Sequence, residues 1–176
     1  MRKIILASNS VARRKFLESK GLIFEVVPSN YDEDMTLPMV PIELAKFLSL
    51  GKAEDVAKSF DDAIIISADT FVSIDDKIIG KPHTEDIAYK TLRTLSGKTH
   101  TVVTGFTIID TKINKIVSKA VETKVTFKEL SDQMIYDYIR DYSPLKFAGS
   151  YTLRDIENTF IEKIDGDHNN IIGLPI

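Results

Sequence analysis

The sequence predicts an α/β fold, a sheet flanked by helices, and three stretches carry the prediction. Lys3 to Ala7 is a short apolar run that passes through Ser8-Asn9-Ser10 into a helical pattern, a strand-turn-helix signature. Ala63 to Ala68 is almost unbroken in its apolar character, as expected of a strand covered on both faces. Thr99 to Asp110 and Lys115 to Phe127 are long β-branched runs separated by a polar turn at Asn114, the pattern of an antiparallel pair. A chain of 176 residues suits one domain, residues 1–176, that buries roughly 70% of its unfolded surface.

Taken in order, the first helix follows Ser10, turns Phe16 and Leu17 inward and stops at Gly21. Phe24 to Val27 alternates as a second strand, and Pro28-Ser29-Asn30 opens a polar loop that carries Asp32, Glu33 and Asp34. A second helix is expected from Pro41 to Lys58, with Leu44, Phe47, Leu48 and Gly51 at helical spacing and proline in its first turn. The apolar strand 63–68 should deliver Asp69-Thr70 at its carboxyl end, where ligands bind in open α/β sheets. Phe71 to Ile79 reads as a hairpin turning at Asp75-Asp76 and closed by Gly80-Lys81-Pro82. Thr84 caps a third helix with Glu85 and Asp86 in its first turn, Ile87, Ala88, Thr91, Leu92 and Leu95 on one face, and a stop at Ser96-Gly97. Ser131 caps a further helix through Ile139. Strands are expected near Tyr151–Leu153, Thr159–Ile164 and Ile171–Ile172.

Composition closes off several function classes. With no cysteine there is no disulfide, thiolate metal site or cysteine nucleophile, so a metal would have to sit on oxygen or imidazole. The apolar runs fall short of the roughly 20 residues a membrane span needs, and Ser8, Asn9, Ser10 and Arg13 interrupt the start before a signal-peptide core forms. A cytoplasmic location, away from the membrane, is the expectation. A net charge of -3 argues against nucleic acid as a partner, because phosphate backbones are gripped by clustered Lys and Arg. His83, His100 and His168 lack ligand spacing, which leaves a histidine metal site or a Ser-His-Asp triad without support. Gly97-Lys98-Thr99 imitates the tail of a phosphate-binding Walker motif, but Leu92 stands where its first glycine belongs.

Four places could carry chemistry. At Ser8-Asn9-Ser10 with Arg13 and Arg14, backbone N–H groups, hydroxyls, the positive end of a helix and guanidinium donors converge in a way that suits phosphate oxygens; a capped helix with solvated arginines is the plainer alternative. Asp69 could hold a divalent cation or take a proton from water, or else close a turn. The acidic loop 32–34 offers carboxylates to a hard cation, although most acidic runs are merely solvated. Lys81, held between Gly80 and Pro82, and Lys52 on the second helix could act as point charges beside phosphate, where an exposed side chain is the default for any lysine.

The segment Leu6-Ala7-Ser8-Asn9-Ser10-Val11-Ala12-Arg13-Arg14 resembles the opening motif of the Maf family. Ala68-Asp69-Thr70, Gly80-Lys81-Pro82, Leu95-Ser96-Gly97 with His100, Thr104-Gly105, Ala148-Gly149-Ser150-Tyr151, Ile164-Asp165-Gly166-Asp167 and Gly173-Leu174-Pro175 match that family in order along nearly the whole chain. The resemblance implies a mixed, twisted sheet flanked by helices around a central cleft, a fold shared with inosine triphosphate pyrophosphatases, usually in a homodimer. It implies hydrolysis of a nucleoside triphosphate to the monophosphate and pyrophosphate with magnesium or manganese, a house-cleaning of noncanonical, modified or pyrimidine nucleotides. By position, Asp69 would accept the proton, Ser8, Arg13, Lys52 and Lys81 would contact phosphates, and Glu33 would help Asp69 hold the metal. A nucleotide-binding regulator of septum formation without turnover is the alternative, and the presence of Asp69, Lys52 and Lys81 weighs against it.

Base specificity falls to positions 12, 70 and 154. The family branch for thymidine and uridine triphosphates carries arginine, threonine and glutamine there, and of Ala12, Thr70 and Arg154 only Thr70 matches. The 7-methyl-GTP branch carries tryptophan, glutamine and glutamate at these positions. Arg13-Arg14 and Ala148-Gly149-Ser150 echo that branch, so the motifs leave the base open. Family members commonly add a closing helix after the position of Ile176, whose loss would bear on the dimer and the last strand.

Overall fold

A computed structural model of the chain describes residues 2–75 and 77–176. The elements are β1 (Lys3–Leu6), α1 (Val11–Ser19), β2 (Glu25–Val26), α2 (Pro41–Ala57), β3 (Ala63–Ile74), β4 (Lys77–Ile79), α3 (Glu85–Leu95), β5 (Thr99–Asp110), β6 (Lys115–Phe127), α4 (Asp132–Tyr142), a 3-10 turn (Ala148–Ser150), α5 (Leu153–Ile156), β7 (Ile161–Asp165) and α6 (His168–Ile172). The strands form a mixed sheet in the order β2-β1-β3-β5-β6-β7, with β4 paired to β3. β1 runs parallel to both β2 and β3, whereas the β3–β4 and β6–β7 pairs are antiparallel. The α/β class and the helix-flanked mixed sheet agree with the sequence. Among the described residues no helix is long and apolar enough to cross a membrane.

The chain divides into two compact units, one of Met1–Thr70, Thr104–Val121 and Ile172–Ile176, the other of Phe71–Val103 and Glu122–Ile171. In the first unit, adjacent strand residues point to opposite faces of the sheet, as strand geometry demands. Ile5, Ile65 and Ile109 pack with Ala53 and Val56 of α2; Leu6, Ile66 and Phe106 pack with Phe16 and Leu17 of α1. Both faces are therefore covered, which explains the unbroken apolar character of 63–68.

The second unit has one core, in which Ala88, Leu92 and Leu95 of α3 and Ile135, Tyr138 and Ile139 of α4 meet Val72, Val102, Val125 and Phe127 of the sheet. Thr84 and Ser131 cap these helices by accepting from the Ile87 and Met134 N–H groups. His100 lies inside this core, only 2% exposed. Its Nε2 is 2.8 Å from the Tyr151 hydroxyl, and Phe127 stands edge-on to the ring. Among the described residues its Nδ1 has no partner. Burial pushes the imidazole pKa down to about 4, below its ordinary value, so the folded protein binds fewer protons than the unfolded chain between the two pKa values. The associated stability is complete above the unfolded value near 6.5 and is lost as pH falls toward 4. Urea unfolding at pH 5 should show a loss of about 2 kcal/mol relative to pH 7.5, and His100→Gln should flatten that slope.

Several expectations need correction. β3 does not end at Ala68 but continues to Ile74, so Asp69 and Thr70 lie inside a strand of 12 residues. The hairpin between β3 and β4 is present, with Val72 opposite Ile79 and Asp75 at φ 48; Asp76, expected in its turn, lies outside the described residues. Tyr151–Leu153 is no strand, because Gly149 and Ser150 adopt successive left-handed conformations and Thr152 leads into α5. Ile171–Ile172 is the last turn of α6 and not a strand; Asp167 starts that helix by accepting from the Asn169 N–H, and Gly173 at φ 97 follows it. Phe47 and Ile87 are exposed. The buried arc of α2 runs through Leu44, Ala45, Leu48, Ser49 and Lys52, on the side away from Phe47, and Ile87 lies at the margin of the arc of α3.

Candidate active site

Pairing between β1 and β3 stops at Leu6 opposite Ile66, after which β1 departs into the Ser8-Asn9-Ser10 turn. The edge of β3 beyond Ile66 loses its strand neighbour there, and side chains take over. Ala7 still donates its N–H to Ile66 O, at 2.8 Å. Next along the edge, Ala68 O accepts from Arg13 Nη1 at 2.7 Å. Ser10 caps α1 by accepting from the Arg13 N–H, and no acidic residue offsets the positive end of that helix.

Arg13 is the hub of this turn. Its Nε donates to Gly173 O at 2.7 Å, Nη1 to Ser8 Oγ at 3.1 Å as well as to Ala68 O, and Nη2 to Thr70 Oγ1 at 2.9 Å. Those bonds use four of the five N–H donors of a guanidinium. Among the described residues the second Nη2 donor has no partner. Thr70 Oγ1 also meets Thr104 Oγ1 at 2.9 Å.

Beside this hub lies a carboxylate–lysine cluster in which Asp69 and Lys52 are buried and Glu33 is exposed. Lys52 Nζ is 2.9 Å from Glu33 Oε1 and donates a hydrogen bond to Asp69 Oδ1. Asp69 is 5% exposed, Lys52 8%. Burial alone would raise the Asp69 pKa, but the charge and hydrogen bond of Lys52 and the charge of Arg13 hold it below the usual carboxylate range. It is ionised at neutral pH. Burial lowers the Arg13 pKa against the opposing pull of Asp69 and Glu33, and a guanidinium stays charged regardless. Two cations and two carboxylates therefore leave the cluster without net charge.

Glu33 reaches Lys52 because its loop is fastened to α2. Asp55 Oδ2 accepts from Ser29 Oγ and from the Asn30 N–H, each at 2.9 Å. The Tyr31 ring lies against Gly51, where a Cβ would come within 2.3 Å of it. Gly51 immediately precedes Lys52, so seating the ring there brings the acidic loop to the ammonium. A glycine inside a helix is costly, and that cost is the sequence signal of a close approach. Asp32 and Asp34 of the same loop are exposed, like Glu33 itself, and among the described residues Asp34 accepts only from Thr36.

Of the residues singled out from the sequence, Ser8, Arg13, Glu33, Lys52, Asp69 and Thr70 come together in the first unit. Ala12 is half-buried on α1. Lys81, after β4, and Arg154, in α5, belong to the second unit and are exposed there; among the described residues neither side chain makes a hydrogen bond or ion pair. Sequence reasoning gave no role to the Gly173 carbonyl, Thr104, Tyr31 or Asp55, since polar fastening of one loop to a distant element leaves no periodic trace.

A family model described as Maf-like protein matches residues 3–176. The chain belongs to the Maf family. A relative from Thermoanaerobacter sp. (strain X514), named dTTP/UTP pyrophosphatase, is 45% identical over 175 residues, which cover 99% of this chain and 91% of the relative. One of the same name from Methanococcoides burtonii is 45% identical over 178 residues, with 100% and 91% covered. The solved Staphylococcus aureus Ham1 protein aligns with 71% of this chain and 72% of its own at a TM-score of 0.47 and 14% identity.

Proposed function

We propose that this Maf-family chain hydrolyses a pyrimidine nucleoside triphosphate, dTTP or UTP, to the monophosphate and pyrophosphate. The observation that carries the reaction is the buried, ionised Asp69 beside Lys52 and Arg13. The choice of pyrimidine rests on the relatives' names. Water attacks the α phosphorus, the bond from that phosphorus to the bridging oxygen breaks, and pyrophosphate leaves with the electron pair. Asp69 accepts the proton of the attacking water. Lys52, the free Nη2 donor of Arg13, the Ser8 hydroxyl and Lys81 bind phosphate oxygens and neutralise charge that builds in the transition state. Ala12, Thr70 and Arg154 are the positions at which the base is tuned. A cytoplasmic location and a homodimer belong to the same reading.

A divalent cation, magnesium or manganese, fits the residues present. The Glu33 and Asp69 carboxylates converge on a single cationic atom, Lys52 Nζ, which is donor chemistry suited to a hard cation that takes one or two carboxylates and completes its shell with phosphate oxygens and water. Among the described residues no group of three or more His, Cys, Asp or Glu could hold such an ion, so the substrate's own oxygens have a part to play. Bound there, the ion supplies Lewis acidity toward the phosphoryl oxygens. The charge balance points the same way, because a neutral protein cluster cannot by itself offset a polyanionic triphosphate.

The test is a panel of dTTP, UTP, CTP, ITP and 7-methyl-GTP with magnesium or manganese, assayed separately for pyrophosphate and orthophosphate. Pyrophosphate should appear, fastest from dTTP or UTP. Orthophosphate alone would mean cleavage at the wrong anhydride, and no product from any triphosphate would remove the enzymatic reading.

A further inference from the structure

The same atoms that would hold the metal are already occupied by a side chain. Lys52 Nζ bonds Glu33 Oε1 and Asp69 Oδ1, and it reaches them from a helix held close to the sheet. An ammonium and a divalent cation cannot share these oxygens, because both need them at contact distance and the two positive charges repel. Arg13 cannot stand in for either, since four of its donors are committed to protein acceptors. The long, flexible stem of a lysine is the part of the cluster able to swing.

We propose that Lys52 is an internal counter-cation that competes with the divalent metal for Glu33 and Asp69, so that the metal binds tightly only after a nucleotide's phosphates have drawn Lys52 away. This rests on the hydrolase reading above. In the free protein Lys52 gives the buried Asp69 carboxylate a counter-charge and holds it together with the exposed carboxylate of Glu33, where an unpaired buried charge would be costly. Phosphate oxygens offer the ammonium an equivalent partner, and its departure opens both carboxylates. Metal and nucleotide then strengthen each other's binding by the same factor, as linkage requires. Metal without nucleotide meets a site that is already neutralised.

Direct Mn²⁺ binding, read from the electron paramagnetic resonance of the free ion, tests this without turnover. Lys52→Met should bind Mn²⁺ at least about tenfold more tightly than the wild type in the absence of nucleotide, within the usual range of coupling between sites. Lys52→Arg, whose guanidinium grips both carboxylates but cannot swing as freely, should bind it more weakly than the wild type. A dTTP analogue with a methylene bridge between the α and β phosphorus atoms should tighten Mn²⁺ binding to the wild type by a larger factor than in Lys52→Met, where the phosphate oxygens still ligate the ion but no lysine has to be displaced. Near-UV circular dichroism checks that each variant is folded, and Lys52→Arg keeps the charge should Lys52→Met not fold. Equal or weaker Mn²⁺ binding by folded Lys52→Met, or tighter binding by Lys52→Arg, overturns the competition. If the wild type still releases pyrophosphate, only the competition is lost. If it releases none from any triphosphate, the hydrolase reading itself has failed.

Discussion

Asp69→Asn is expected to slow pyrophosphate release at least about a thousandfold, because the substitution removes both a proton acceptor and one of two carboxylates available to a metal. The fold should survive. An asparagine retains an Oδ1 acceptor for the Lys52 ammonium, and Lys52 keeps its 2.9 Å bond to Glu33, so no buried cation is left without an acceptor. Thermal unfolding of the variant should therefore stay close to that of the wild type, while steady-state pyrophosphate release collapses. Asp34→Asn is the matched control: that carboxylate is exposed, lies one residue from Glu33 and accepts from Thr36. Its activity should be unchanged. Wild-type turnover in folded Asp69→Asn would take Asp69 out of the chemistry.

Local signals made much of the fold legible. Thr84 before Glu85-Asp86, with Gly97 beyond the last apolar position, marks α3 at both ends, and the β-branched runs mark β5 and β6 from end to end. Elements whose limits depend on distant partners were harder to place. The length of β3 depends on where β1 leaves it and where β4 folds back, neither of which is written in residues 63–74. The segment at Ile171–Ile172 has β-branched residues, yet the Asp167 turn commits it to a helix. In the site, periodicity placed Lys52 on a helix and Asp69 just past the end of a strand, but nothing local joins residues 33, 52 and 69. The family resemblance suggested that group. Arg13 bonds across 160 residues to Gly173 O, a contact with no trace in either segment's pattern. That contact explains why the arginine, read from its motif as a phosphate clamp, also serves as a strut.

The cluster depends on how closely α2 approaches the sheet, and at Gly105 the helix backbone lies where a side chain would begin. A Cβ there would fall 2.0 Å from Ala45 O and 2.2 Å from its carbonyl carbon. Both are backbone atoms of α2, which a rotamer change cannot move. Ser49 Oγ bonds Thr107 Oγ1 at 2.9 Å, and Ser67 Oγ donates to Ser49 O, so the helix is also fastened to β5 and β3 on either side of that contact. Gly105→Ala must push α2 outward against these bonds, and Lys52 is carried on the same helix two turns beyond Ala45. Overpacking of this kind against backbone should cost about 3 kcal/mol or more, lowering the midpoint of thermal unfolding by roughly 10 °C for a chain of this size. Gly21→Ala is the comparison. Gly21 has φ +73 and nothing within 4 Å of an added Cβ, so only the left-handed conformation is penalised, by about 1 kcal/mol. If the two variants melt together, α2 is not held by contact at Gly105. If Gly105→Ala is the less stable and its remaining folded fraction also binds Mn²⁺ and nucleotide less tightly, the spacing between helix and sheet is what sets Lys52 against Asp69.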